Sequence, residues 1–156
     1  MKEKAFKSNS YYEGLFQNLY GGGKGCFVAF MQFFYQCNQA ATFNEEFSAC
    51  FEKLFKFELK NCEILSKILI KMGGDNKFYS SAKKFLSGYN VTYHKSIEKM
   101  FLEDVELLEI NILDVKGVIY KLEDERLREE IGKILTNKKE ELKLLKEVYF
   151  KSNLIK

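Results

Sequence analysis

Not one of the 156 residues is proline, and six of the ten glycines sit in two short clusters, Gly21 to Gly25 and Gly73 with Gly74. Proline removes a helical N–H and clashes with the preceding turn, so a chain without it can run long helices unbroken. Between the glycine clusters the apolar residues keep helical period: Phe47, Phe51, Leu54, Phe55, Cys62, Leu65, Ile68, Leu69 and Met72. Thr42-x-x-Glu45 reads as a capping box at the start of this stretch, and Gly73-Gly74 as its stop. The same reading gives a preceding helix from the first glycine cluster to about Gln39, a third helix from about Val91 to Leu122, and a fourth from the acidic connection Glu123 to Glu125 to about Phe150. Tyr11 to Tyr20 forms a helical turn or two before them. The class is all-α.

The joints set the topology. The first and second helices are linked by a few residues, as are the third and fourth, and short links make antiparallel neighbours. Gly73 to Asn90 is too long and too polar for a hairpin loop, although SSAKKFL within it suits a helical turn. A connection of that length serves as a crossover along the bundle, between helices 2 and 3. The expected organisation is one domain over residues 1–156, with 1–19 an N-terminal segment and 150–156 a frayed tail.

Composition excludes several functions. The formal charge of +3 comes from 25 basic and 22 acidic residues interspersed along the helices, which leaves no basic stripe for a nucleic-acid backbone. Residues 1–10, MKEKAFKSNS, lack the apolar core of a signal peptide. GCFVAFMQFFYQC, Gly25 to Cys37, is apolar almost all round but too short to span a bilayer, so it reads as a helix buried on several sides rather than a membrane segment. Cys26, Cys37, Cys50 and Cys62 lack CxxC spacing and read as free thiols of a reducing, cytoplasmic compartment. GGGKG lacks the GxxxxGK[ST] of a phosphate loop, and the lone His94 has no partner in the sequence that would make it a pH sensor.

The informative residues are those that interrupt the apolar stripes. Glu58 sits among Phe51, Leu54, Phe55, Cys62 and Leu65; Glu109 among Leu102, Val105, Ile112 and Leu113; Lys138 among Ile131, Ile134, Leu135, Leu142 and Leu145. Asn61 and Glu141 follow Glu58 and Lys138 by three residues and share their faces. Charges stranded in an apolar core are costly unless paired, so these five residues are expected to meet.

Tyr20 to Gln36, Phe57-Glu58-Leu59-Lys60-Asn61 with Met72-Gly73-Gly74-Asp75, Leu102-Glu103-Asp104 with Glu109, and Ile134 to Lys146 together carry a resemblance. Over roughly Tyr20 to Tyr149 the chain resembles rubrerythrin-like and bacterioferritin-like members of the ferritin-like superfamily. That resemblance implies an antiparallel ferritin-like four-helix bundle with one long crossover. In that family two helices each give a Glu and two give Glu-x-x-His to a dimetal centre. Laid over this chain, the first Glu position falls on Cys26, the second is Glu58 with Asn61 in the histidine place, the third is Glu109, and the last pair falls on Lys138 and Glu141.

An ammonium has no free lone pair and places positive charge where a metal would go. The reading is therefore a degenerate dimetal site: a non-catalytic bundle with a structural or interaction role and no cofactor, Cys26 and Lys138 marking vestigial positions. Two alternatives stay open. One is a divalent-metal oxidoreductase of the rubrerythrin type, with Fe or Mn on Glu58, Asn61, Glu109 and Glu141. The other is a bundle holding a small apolar ligand among its phenylalanines. Phe27, Met31 and Phe34 give the first helix a second apolar face, for which a homodimer through the aromatic helix faces is the expected cover.

Overall fold

The computed structural model describes residues 6–152. Residues 1–5 and 153–156, and with the latter most of the expected frayed tail, lie outside the described residues. Five α-helices follow in order: α1 Ser10–Gly21, α2 Cys26–Ala40, α3 Glu45–Lys71, α4 Ile97–Lys121 and α5 Glu125–Lys151. The bundle is α2 to α5, with α2 packed on α3, α3 on α5 and α5 on α4, while α1 lies against α3 and α2.

Local chemistry sets the boundaries. Asn9, Asn44, Ser96 and Asp124 cap α1, α3, α4 and α5 by accepting first-turn N–H groups. The second helix of the sequence reading thus starts on Asn44 rather than Thr42, whose hydroxyl instead donates back to the Gln39 carbonyl. Its end is as read: Gly73 adopts φ +81° while Gly73 and Gly74 donate to the carbonyls of Ile70 and Leu69, a Schellman stop that needs glycine at the left-handed position. The N-terminal turns prove to be a full helix, α1.

Apolar residues gather in two clusters along the bundle. One holds Phe16, Leu65, Leu69, Val115, Ile131 and Ile134; the other holds Phe33, Phe47, Phe51, Leu54, Met100, Leu108, Leu145 and Tyr149. Along α3 the chain passes from the second cluster (Leu54) to the first (Leu65), and along α4 likewise from Leu108 to Val115. Helices α3 and α4 are therefore parallel, which obliges the connection between them to travel the length of the bundle. That is the expected crossover, and the ferritin-like fold with it.

Within the crossover, SSAKKFL is not helical. Tyr79 and Phe85 pair as an antiparallel bridge around a turn in which Lys83 takes φ 59° and Ser80 exchanges bonds with Lys84. Helix α1 clamps this segment: Gln17 Nε2 donates to the Lys77 and Tyr79 carbonyls, at 2.9 and 2.8 Å. Gly21 makes the approach possible, since a Cβ there would fall 2.3 Å from the Tyr79 carbonyl oxygen. Phe78 from the same segment covers Phe27, with ring centroids 4.3 Å apart, so the second apolar face of α2 is in part closed by its own chain, while Phe34 stays exposed. No helix among the described residues is long and apolar enough to cross a membrane.

Candidate functional site

Between the two apolar clusters lies a polar layer built from three helices. Glu58 and Asn61 from α3, Asn111 from α4, and Lys138 and Glu141 from α5 are all buried there. Lys138 Nζ donates to Glu58 Oε1 at 2.6 Å and to Asn111 Oδ1. Asn111 in turn donates from Nδ2 to the Lys24 carbonyl, 2.7 Å away, tying the glycine-rich loop before α2 to the centre. Asn137 Nδ2 donates to Asn61 Oδ1 at 2.8 Å. The Cys26 and Cys62 thiols flank the layer. Burial pushes both far up, with the neighbouring carboxylates adding to the effect, so they stay protonated.

Charge in this layer does not balance on ion pairs alone. Pairing Lys138 with Glu58 leaves Glu141, and neither Glu141 oxygen nor Glu58 Oε2 has a hydrogen-bond donor. Two carboxylates have no donor to offer each other. Burial raises the Glu141 pKa well above the carboxylate range, the Glu58 charge raises it further, and Lys138 opposes only in part. A retained proton supplies the missing donor between the two acids. Desolvation pulls the Lys138 pKa down, but the attraction of Glu58 and its neighbours outweighs it, so the ammonium keeps its charge.

The structure brings Glu58, Asn61, Cys26, Lys138 and Glu141 together and leaves Glu109 out. The Glu109 side chain is 57 % exposed and lies 3.8 Å from Lys146 Nζ. The buried face of α4 differs from the one its leucines suggest. Leu102 and Leu113, taken as its apolar markers, are 60 and 68 % exposed, and the buried face runs through Ile97, Phe101, Asp104, Leu108, Asn111, Val115 and Val118. Two of those positions are polar, which hid the stripe. The regular three- and four-residue steps from Ile97 to Val118 were the signal that could have found it. His94 does have a carboxylate neighbour, with Glu103 at 3.9 Å.

Asp104 anchors a second buried cluster. Gln32 and Gln36 of α2 donate to its Oδ1 at 2.6 and 2.9 Å, and Gln32 Oε1 accepts from the Thr92 N–H and hydroxyl. Asp104 Oδ2 and Gln36 Oε1 are left without partners. Burial lifts the Asp104 pKa to about 8, against the pull of the two glutamine bonds and with a small addition from the Glu103 charge. A proton on Oδ2 is consistent with that oxygen accepting no bond.

A cavity of ≈ 480 Å³ opens beside the central layer and reaches Cys26, Asn111 and Lys138; no phenylalanine lines it. No three His, Cys, Asp or Glu side chains among the described residues are placed to hold a metal ion together. A pair of divalent ions does not fit these residues, because two carboxylates and no imidazole cannot balance four positive charges beside an ammonium. One oxygen-ligated ion fits the three unpartnered carboxylate oxygens, provided Lys138 turns away.

No protein-family model and no curated protein matches the chain. Two crystal structures of KatB, a manganese catalase from Anabaena, one of them of the wild type, share its fold. Each superposes with a TM-score of 0.87 over 95% of this chain and 75% of the catalase chain, at 12% sequence identity. Both of these structures are of an enzyme, which runs against the expectation of a non-catalytic structural or interaction bundle. At that identity the fold alone is shared.

Removing only the Lys138 ammonium strands a buried carboxylate, so Lys138→Ala costs about 3–5 kcal/mol in urea unfolding. Lys138→Met combined with Glu58→Gln removes both charges and costs less than half as much; equal losses would contradict a coupled pair. For Asp104 the folded pKa of about 8 lies above the ordinary 3.8. Between these values the folded state holds the extra proton, so this group's contribution to stability is full below pH 4 and is lost as pH rises through 8. Asp104→Asn, which keeps the shape without the charge, is therefore more stable than the wild type at pH 9, and the gap narrows steadily as pH falls from 8 towards 4. A gap independent of pH would contradict the buried acid.

Proposed function

We propose that this chain is a divalent-metal oxidoreductase whose Glu58 and Glu141 carboxylates hold a single manganese or iron(II) ion. The observation that carries the reading is the set of unpartnered, buried carboxylate oxygens, Glu58 Oε2 and both oxygens of Glu141, in the middle of the bundle. Hard divalent cations take such oxygens, and two carboxylates balance one such ion. Asn61 is the third ligand in this reading: its Nδ2 is unpartnered, and turning the Asn61 and Asn137 amides over together presents Oδ1 instead. Glu109, exposed on α4, drops out of the proposed ligand set.

A bound ion of this kind supplies one-electron chemistry towards a small oxidant. Glu141 gives up its proton, and Lys138 leaves Glu58 for the adjoining cavity, which it already lines. There its charge faces the incoming substrate. Hydrogen peroxide is the substrate to try first, because the two crystal structures that share the fold above are of a catalase. Self-association through the exposed Phe34 face accompanies the proposal, and sedimentation velocity of Phe34→Glu beside the wild type decides it.

Because binding releases protons, affinity rises with pH. Anaerobic equilibrium dialysis against Mn(II) or Fe(II) is expected to give close to one ion per chain, tighter at pH 8 than at pH 6, with a higher unfolding temperature on loading. Glu58→Gln or Glu141→Gln lowers the affinity by about a hundredfold. No saturable binding at either pH, or binding indifferent to both substitutions, contradicts the proposal.

A further inference from the structure

The cavity beside the central layer is larger than a single ion needs. Its ≈ 480 Å³ falls in the range of small-molecule sites, roughly 300 to 1,000 Å³. Leu15, Leu19, Val115 and Val118 make one wall apolar. Against them stand three lysines and one acid: buried Lys138 at the floor, exposed Lys24 and Lys121 at the rim, and Asp114. Neither rim lysine makes an ion pair among the described residues.

Donors without partners converge on this space. Lys138 spends two of its three N–H groups on Glu58 and Asn111, and the third has no partner among the described residues. Helix α2 starts at the cavity wall with Gly25 and Cys26, and no side chain caps it. Asn111 holds floor and rim in one frame, accepting from Lys138 and donating to the Lys24 carbonyl. Gly22 and Gly25 are accounted for by the α1–α2 turn, where a Cβ would strike the Asn18 and Leu19 backbones at 2.4 and 2.7 Å. Gly117 has no such reason. It lies inside α4 on the cavity wall, where a Cβ would meet nothing within 4 Å, and glycine weakens a helix relative to alanine. Its effect is to keep that wall open.

We propose that this cavity binds a small organic carboxylate. The head takes the free Lys138 N–H and the first N–H groups of α2, and the hydrocarbon part lies along Leu15, Leu19, Val115 and Val118. Lys24 and Lys121 favour the approach of an anion. An inorganic anion would leave the apolar wall wet, which selects an organic acid. The inference goes beyond the metal reading and needs neither Glu141 nor an ion.

Octanoate is the probe, titrated calorimetrically into the metal-free full chain at low salt, with octanol and inorganic phosphate beside it. One octanoate per chain is expected, weakened by added salt, with both comparison compounds at least about tenfold weaker. Gly117→Leu fills the cavity from an exposed helix position; it keeps the circular dichroism of the wild type and loses octanoate affinity by at least about tenfold. The double substitution Lys24→Gln and Lys121→Gln, at the exposed rim, weakens binding roughly three- to tenfold without touching the core. Absence of saturable octanoate binding, octanol binding as tight as octanoate, or affinity unchanged in both variants overturns the proposal. Manganese dialysis of the Lys24→Gln, Lys121→Gln variant separates the two readings, because those rim substitutions leave Glu58, Glu141 and the space into which Lys138 turns in place.

Discussion

An ammonium buried against a carboxylate in the middle of a helical bundle governs the rest of this molecule. Lys138 and Glu58 meet at 2.6 Å with almost no exposure. Removing two charges from water costs several kcal/mol each, and the pair recovers this only with good geometry and further hydrogen bonds. Asn111 supplies one such bond and passes the constraint to the loop before α2. The apolar core is accordingly two clusters with a polar layer between them. A slip of α5 along α3 would separate the pair, so the layer that weakens the core also fixes how the helices align.

The two buried acids outside that pair resolve the same problem in the same way. Glu141 has lost its counter-charge to Glu58, and Asp104 has amides but no cation; burial raises the pKa of both and so favours the protonated form. They differ in their surroundings. Asp104 itself lines no cavity and is held by Gln32 and Gln36, with a smaller pocket of ≈ 220 Å³ reaching only Gln32 and its partner Thr92, whereas the cavity of ≈ 480 Å³ beside the layer containing Glu141 reaches the charged Lys138 and Cys26. The larger cavity and the unpartnered carboxylate oxygens thus lie side by side at the central layer, and the functional proposals fall there for that reason.

Much of this was legible in the sequence. Absent proline, clustered glycine and long helical period gave the four bundle helices and the crossover. Glu58, Asn61, Lys138 and Glu141 stood out because each interrupts a strongly apolar face. The reading failed on α4, where Asp104 and Asn111 occupy core positions and Leu102 and Leu113 face solvent. Apolar residues marked the wrong face there, and Glu109 was drawn into the site with them. Gln32 and Gln36 were illegible for a related reason: they look like surface residues of an aromatic helix, and only the partner Asp104, 72 and 68 residues away, makes them core. The turn in SSAKKFL was lost because the contacts that shape it, the pairing of Phe85 with Tyr79 and the Ser81 N–H donated to Asn18 Oδ1 of α1, are not written in the local pattern.

The central claim is that Glu58 and Glu141 hold one divalent ion and that Lys138 yields its place to it. Anomalous diffraction from crystals grown with Mn(II) at pH 8 tests this most directly. The account predicts a single manganese peak within ligand distance of both carboxylates, about 2.0–2.2 Å by the usual metal–oxygen range, with the Lys138 side chain turned into the adjoining cavity. A map with no peak between the two carboxylates and Lys138 still on Glu58 would contradict it.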